Sequence, residues 1–292
     1  MSNRTKRILI GIDGGGTGCR VAVATAKGEV LGAAKGGPAN PTYQQQEALS
    51  NILAAIEAAR QDAGLDNHAI ASACAFVGLA GIRDNEIAQY IASALPMAKA
   101  RVVEDRITTV TGALSGNDGA VAAIGTGSFV AHSINNKTQY VGGWGFRLGD
   151  QASGAWLGQK LLKRVVLCAE GIEVHTALTR QTLARYDNTN EIYDFCNEAT
   201  PAEFGNLAPL VVTAAADGDQ TATALMRSGA DYIVKALATL GYQPTQALCL
   251  TGGLGPHYAA FLPPSYATQV VKPKGTALDG ALLLAAQMET MS

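Results

Sequence analysis

Hydrophobic and polar positions follow two rhythms along this chain, and the changes of rhythm mark its elements. Residues 7–13 (RILIGID) form a short, almost unbroken apolar run, the signature of a buried strand. Residues 19–25 alternate with period two, and 30–34 read as a third strand after a hairpin turn at Lys27-Gly28. Between the first two strands, Gly14-Gly15-Gly16-Thr17-Gly18 is expected to turn the chain by entering positive φ, which glycine does without steric cost. Leu49, Ile52, Leu53 and Ile56 fall at helical spacing and predict an amphipathic core helix over about 42–63. A strand over 72–77, a helix over 85–94, a strand over 101–103 and a short helix over 107–114 follow. The turn Asn117-Asp118-Gly119 is the candidate boundary.

The pattern then restarts. Residues 120–124 read as a strand, Gly125-Thr126-Gly127-Ser128 as a tight turn, and 129–134 and 139–142 as two further strands. Helices are predicted over about 154–168, 175–186, 191–197, 209–216 and 219–240. A strand over 247–251, a Gly252-Gly253 turn and a closing helix over 277–286 complete the chain. Each half opens strand-turn-strand-turn-strand with a glycine turn bearing a threonine, a duplication of topology without an obvious sequence repeat. The pattern predicts an α/β chain of two domains, 1–117 and 118–292, each a mixed sheet flanked by helices, with the last helix able to pack back on the first.

Composition narrows the class. The chain has 292 residues, 48% of them hydrophobic, and a formal net charge of −2, so nothing in it suggests a nucleic-acid or anionic-membrane footprint. No apolar run approaches the ~20 residues of a membrane span, and no signal-peptide core follows the basic start; a cytoplasmic protein is expected. Cys19, Cys74, Cys168, Cys196 and Cys249 contain no C-x-x-C pair. They fit neither a disulfide framework nor a zinc site, and four of them lie in apolar surroundings that predict reduced, buried thiols.

The glycine loops carry the chemistry. Asp13-Gly14-Gly15-Gly16-Thr17 lacks the lysine of a P-loop, and it opens into a strand, whereas a dinucleotide-binding glycine loop opens into a helix. A glycine turn between two strands can still hold phosphate through backbone N–H groups. There Thr17 would add a hydroxyl donor and Asp13 would hold a hydrated Mg²⁺. Gly125-Thr126-Gly127-Ser128 repeats these features in the second half. Asp105, after the apolar Val102-Val103, is a candidate base or, more plainly, the cap of the next helix. Gly149-Asp150 also precedes a helix and invites the same plain reading, and Trp144 reads either as core filling or as part of a sugar-lining loop.

The DGGGT, GTGS and late TGG turns together resemble the sugar kinase/heat-shock protein 70/actin superfamily. Residues 142–155 (GGWGFRLGDQASGA) resemble the N-acetylglucosamine kinase and glucosamine kinase branch of the BadF/BadG/BcrA/BcrD ATPase family, and the likeness runs from Ile8 to Ala281. The resemblance implies two ribonuclease H-like (actin/hexokinase-like ATPase) domains with a cleft, ATP and Mg²⁺ as cofactors, a small amino sugar as substrate, and a homodimer. It implies that Asp13, Gly15, Gly16 and Thr17 form the first phosphate motif and Thr126, Gly127 and Ser128 the second. Gly252 and Gly253 correspond to the adenosine motif, with Ala215 nearby. Asn40, Gly143, Trp144, Gly145 and Asp150 correspond to sugar contacts, and Asp105 to the catalytic base. The family commonly has alanine where this chain has Arg106, which leaves Glu104 as an alternative register for the base. Pro41-Thr42-Tyr43 could offer an aromatic face to an N-acetyl group. The other reading within the broad family is an ATP-driven activator of a partner enzyme, which holds an iron–sulfur cluster on clustered cysteines; this chain has no such cluster of cysteines.

Overall fold

The computed structural model describes residues 7–290 apart from Tyr43 and Arg83; the aromatic face suggested at Tyr43 therefore lies outside the described residues. In chain order the elements are β1 (Ile8–Gly14), β2 (Cys19–Thr25), β3 (Val30–Gly36), α1 (Gln45–Asp62), α2 (Asn67–Ala71), β4 (Cys74–Leu79), α3 (Asn85–Ala94), β5 (Lys99–Glu104) and α4 (Asp105–Leu114). The second series is β6 (Gly119–Ile124), β7 (Ser128–Ile134), β8 (Lys137–Gly142), α5 (Gly154–Ala169), α6 (Ala177–Leu183), α7 (Thr189–Glu198), α8 (Pro201–Gly205), α9 (Ala208–Ala216) and α10 (Gln220–Thr239). Then come β9 (Leu248–Thr251), a 3₁₀ turn (Gly255–Phe261), α11 (Pro264–Ala267), β10 (Val270–Val271) and α12 (Ala277–Thr290). The chain divides into two compact units. One runs up to Gly116 and is rejoined by the segment from Pro273; the other is Asn117–Lys272.

Each unit is built on a five-stranded mixed sheet, ordered β3-β2-β1-β4-β5 in the first and β10-β9-β6-β7-β8 in the second. In the first, the β1–β2 and β2–β3 pairs are antiparallel hairpins, while β1, β4 and β5 run parallel. One face buries Ile10, Ile12, Val21 and Val77 with Ile52 and Ile56 of α1 and Ile91 of α3. The other face, carrying Leu9, Ala22, Cys74 and Phe76, packs with Leu282 and Ala285 of α12. In the second unit β6 pairs antiparallel with β7 and parallel with β9. Its core joins Ala122 and Ile124 of β6 to Leu157 and Leu161 of α5 and Ile233 and Leu237 of α10.

The glycines of the first turn are not where they are for the expected reason. Gly14, Gly15, Gly16 and Gly18 all lie outside the positive-φ set. Close approach explains two of them. A Cβ on Gly14 would come within 2.6 Å of Leu79 Cδ2, and one on Gly18 within 3.0 Å of Gly36 O. A Cβ on Gly15 or Gly16 would meet no protein atom within 4 Å.

Several predicted helix starts shift, with α6 beginning at Ala177 and α7 at Thr189. α1 begins at Gln45 and α4 at Asp105. Cys19, Cys74, Cys168 and Cys249 are buried free thiols and Cys196 is exposed. Among the described residues no helix is long and apolar enough to cross a membrane.

Candidate active site

In the first unit the parallel register aligns the carboxyl ends of three strands, the usual place for a ligand site in such sheets. Asp13 stands opposite Gly78, and Gly14 opposite Leu79, which in turn stands opposite Glu104. Asp105 is the next residue and the first of α4. It is therefore not the helix cap: that position is Glu104, whose side chain makes no capping bond. The Glu104 carboxylate instead takes Arg106, with Oε2 2.6 Å from Nη2. This ion pair engages the carboxylate of the alternative base. Burial, then the negative charges of Glu104 and Asp13, push Asp105 up to about 6, against the opposing pull of Arg106. Thr108, fully buried, donates its hydroxyl to the Asp105 carbonyl at 2.9 Å.

Asp13 is itself held above the usual carboxylate range by burial, with Arg20 acting the other way. Arg20 Nε lies 3.8 Å from Asp13 Oδ2. It is the cross-strand partner of Asp13, and counting back through the hairpin would have found it in the sequence. Three carbonyls of the turn between them are occupied: Gly14 O accepts from Ala80, Gly15 O from Ala39 and Gly18 O from Gly15. Those three carbonyl dipoles, which would repel an anion, are thus tied into the protein, and the space above Gly15 and Gly16 is open. Gly16 and Thr17 are exposed. This cradle, which a Cβ would begin to fill, fits the phosphate chain of a nucleotide.

Asn40 sits beside the same strand ends. Its Oδ1 accepts the Thr42 N–H at 2.9 Å, and Thr42 Oγ1 donates to Gly81 O. Gly81, at φ +88, leaves no room for a side chain against Asn40. With its oxygen engaged by the Thr42 N–H, Asn40 has its amide N–H donors to offer to a ligand.

The second unit shows the same device. Gly125 N–H donates to Gly127 O, while Gly125 O and Thr126 O accept the Gly154 and Ala155 N–H groups at the start of α5. Thr126 is exposed, and a Cβ on Gly125 would meet nothing within 4 Å. Ser128 is different: its buried hydroxyl donates to Gln151 O at 2.6 Å. Thr251-Gly252-Gly253 abuts this turn, because Thr251 pairs with Ala123 and Leu254 N–H donates to Ile124 O. Gly252 needs its φ of +79 there, and Gly253 borders open space. Thr251 Oγ1 is buried without a protein partner, a polar atom suited to a ligand or water. Ala215 lies in the last turn of α9.

The loop after β8 uses glycine conformationally: Gly142, Gly143 and Gly145 have φ of +87, +78 and +85. Gly143 N–H donates to Ser128 O. Trp144 is 71% exposed, so it is not core filling. Asp150 is buried and does not cap α5, whose cap is Ser153. Its carboxyl is raised by burial and lowered by the Ser128 and Gly145 N–H groups that it accepts. The described residues contain no group of three or more His, Cys, Asp or Glu side chains placed to hold a metal. Asp13 is a single carboxylate, the arrangement expected where a hydrated ion arrives with its phosphate ligand.

The profile of the BadF/BadG/BcrA/BcrD ATPase family matches residues 10–285. A glucosamine kinase of Vibrio cholerae is 32% identical over 96% of either chain. An N-acetylmuramic acid/N-acetylglucosamine kinase of Clostridium acetobutylicum is 25% identical over 96% of this chain and 98% of its own. A crystal structure from Chromobacterium violaceum, provisionally assigned as an N-acetylglucosamine kinase, superposes with a TM-score of 0.88 at 35% identity, covering 96% of this chain and 99% of that one.

Proposed function

The chain belongs to the BadF/BadG/BcrA/BcrD ATPase family, and from that premise we propose that it is an ATP-dependent kinase of a free amino sugar, moving the terminal phosphoryl group of ATP to the 6-hydroxyl of glucosamine or N-acetylglucosamine. Its two mixed five-stranded sheets flanked by helices are those of the actin-like sugar-kinase fold. The observation that carries the reading is Asp105: a carboxylate tuned to about 6 at the strand ends that also present Asp13 and an open glycine turn.

Phosphoryl transfer asks a protein for alignment, charge neutralisation and a late proton acceptor. Asp105 takes the proton of the sugar hydroxyl; with an affinity near 6 it is mostly ionised at neutral pH yet more basic than an ordinary aspartate. The backbone N–H groups of Gly16 and Thr17, the Thr17 hydroxyl and the Arg20 guanidinium bind phosphate oxygens, while the Gly15 N–H is engaged by Gly18 O within the turn. Thr126 and Gly127 do so in the second unit, where Gly252 and Gly253 leave room for the adenosine. Asp13 would hold Mg²⁺ through water, and the ion supplies neutralisation of the phosphate charge. Asn40 and the Gly143–Gly145 loop bind the sugar. The activator reading lacks its donors: four thiols are buried and only Cys196 is exposed, where a surface cluster needs several thiolates together.

The test is a coupled ADP-release assay over glucosamine, N-acetylglucosamine, N-acetylmannosamine and glucose, with the product's phosphorylated position assigned by NMR. Turnover with an amino sugar at least ~10-fold above glucose is expected. ADP release that no sugar stimulates would refute the kinase reading.

A further inference from the structure

Between α5, α7 and α8 of the second unit lies a cavity of about 550 Å³ that the kinase reading leaves without a task. Its size falls within the roughly 300–1,000 Å³ of small-molecule pockets. Leu162 of α5 is buried in the core, while Val166, one turn on, is only partly covered. Both line the cavity, together with Ile192 of α7, Phe204 of α8 and Phe146. The Phe146 and Phe204 rings meet at 4.9 Å between centroids, and Phe195 backs Phe204 at 5.2 Å. The walls are therefore apolar and firmly seated.

The charge at this cavity has one sign. Gln159 and Lys163 stand four residues apart on α5, hence on one face, and both line the cavity, which no aspartate or glutamate does. The other cations of α5 are engaged: Lys160 lies over the Trp156 ring and Arg164 pairs with Glu173. Among the described residues Lys163 makes no ion pair, and neither its ammonium nor the Gln159 amide makes a hydrogen bond. Burial raises the Cys196 thiol on α7, and the Lys163 charge opposes that rise, so the ammonium faces the same space as the thiol. A lysine can cover apolar surface with its stem and keep its charge at the rim. An uncompensated cation and an amide donor beside apolar walls match a ligand with an anionic head and an apolar body. The cavity also borders the site described above. Phe146 directly follows the Gly143–Gly145 loop. A Cβ on Gly158 would overlap the Phe204 carbonyl, and one on Gly205 would come within 3.9 Å of Thr126 Cγ2.

We propose that this cavity is a regulatory site for an amphiphile with a single carboxylate and an unbranched apolar chain. The head is held by Lys163 and Gln159, and the chain lies against Leu162, Val166, Ile192 and Phe146. Phe146 is only partly covered; a bound chain completes its packing and steadies the loop ahead of it, so a sugar then pays less to order that loop. This effect on the sugar rests on the kinase reading given above, whereas the binding of the amphiphile does not.

The experiment is calorimetric titration of decanoate, kept below its micelle-forming concentration, into the full-length protein, beside 1-decanol and decyltrimethylammonium. Decanoate is expected to saturate one site per chain and to bind about 3- to 5-fold more tightly than the alcohol, as an exposed ion pair allows, with the cationic amphiphile weakest. Lys163→Met keeps an apolar stem and should bring decanoate to within ~2-fold of decanol. Cys196→Phe places a ring in the cavity and should abolish saturable binding of both; Lys163 and Cys196 are exposed, so both variants are expected to melt as the wild type does. Saturating decanoate should lower the KM for the amino sugar about 5-fold, the low end of ordinary coupling, and leave it unchanged in Cys196→Phe. Equal affinity for decanoate and decanol in the wild type, or decanoate binding that survives Cys196→Phe, overturns the site. Decanoate that binds without moving KM overturns the link through Phe146. A dimer in sedimentation that Cys196→Phe dissociates, with no decanoate bound by the wild type, would give the cavity to a second copy and refute the ligand. Absence of sugar-stimulated ADP release would refute the kinase reading, while the calorimetry still decides the site.

Discussion

Holding a carboxylate out of water next to Glu104 and Asp13 raises the proton affinity of Asp105, and the same interactions act on stability. The folded chain holds this proton up to about pH 6, whereas an unfolded aspartate releases it near 3.8. Between those values the folded state binds more protons, so stability falls as pH rises and stays lowered above 6. Asp105→Asn removes the charge and keeps the shape. It is expected to raise the melting temperature at pH 7.5, with the gain vanishing near pH 4, and to lower kcat at least ~10²-fold. A variant that turns over normally would remove Asp105 from catalysis. In the wild type, kcat/KM is expected to fall about tenfold per unit below pH 6. Glu104→Gln deletes one of the charges that raises Asp105 and releases Arg106, so the limb should move to lower pH; a limb that stays in place would contradict the assignment. The sequence could point to Asp105, but its ionisation depends on Asp13, which lies 92 positions earlier and reaches it only through the parallel β1–β4–β5 register. The Asp13–Arg20 pair was legible from the hairpin, since a strand-turn-strand reading fixes which residues face each other. The absence of side chains at Gly15 and Gly16 was legible too, but for the wrong reason: open space above the turn, not positive φ, is what a side chain would take away.

At the scale of elements, the helix that starts with Asp105 is held by contacts that only glycine permits. A Cβ on Gly112 of α4 would overlap the Thr276 carbonyl, and one on Gly280 of α12 would overlap the Thr108 carbonyl. Lys274 N–H donates to Ala113 O at 3.0 Å just ahead of the crossing, and Thr276 and Asp279 cap α12 reciprocally. Backbone lies against backbone here, so no side chain can swing aside. Gly280→Ala is expected to destabilise the protein by about 1–3 kcal/mol, the usual range for overpacking, read as a lower midpoint in urea with an unchanged slope. It gains about 1 kcal/mol of helix propensity, so an equal or higher midpoint would mean that the two helices part easily. Periodicity identified both helices as helices, yet a period cannot say which partner a helix meets. It also placed the start of α4 two residues late, because Asp105 and Arg106 are polar and the apolar rhythm begins at Ile107. That small shift matters, since it turns Asp105 from a cap into a residue of the first turn of α4.

At the scale of the whole molecule, the first unit is completed by the last stretch of chain. The sequence reading divided the chain in two near residue 117 because a second strand-turn-strand series begins there, and hydrophobic pattern is a local property. It could offer the return of the last helix only as an option, since that return depends on contacts some two hundred residues apart: Cys74 with Ala285 and Lys99 with Glu289. Those contacts make one face of the first sheet, with Leu9, Ala22, Ala24, Cys74 and Phe76, dependent on Leu282 and Ala285. Residues 117–272 carry their own core in one uninterrupted segment. A chain ended after Lys272 should therefore lose the two units unequally. The first would expose a contiguous apolar sheet face, bind a hydrophobic dye and be cleaved by protease within β1–β5, whereas a fragment covering residues 117–272 should survive the same digestion. Contact across a sheet face is worth roughly 25 cal/mol per Å², and net stability is typically only 5–15 kcal/mol, so removing a whole covering helix leaves the first unit without a margin. Equal protection of both halves in the truncated chain would show that the first sheet holds its fold on α1 to α4 alone, and would reduce α12 to an attachment.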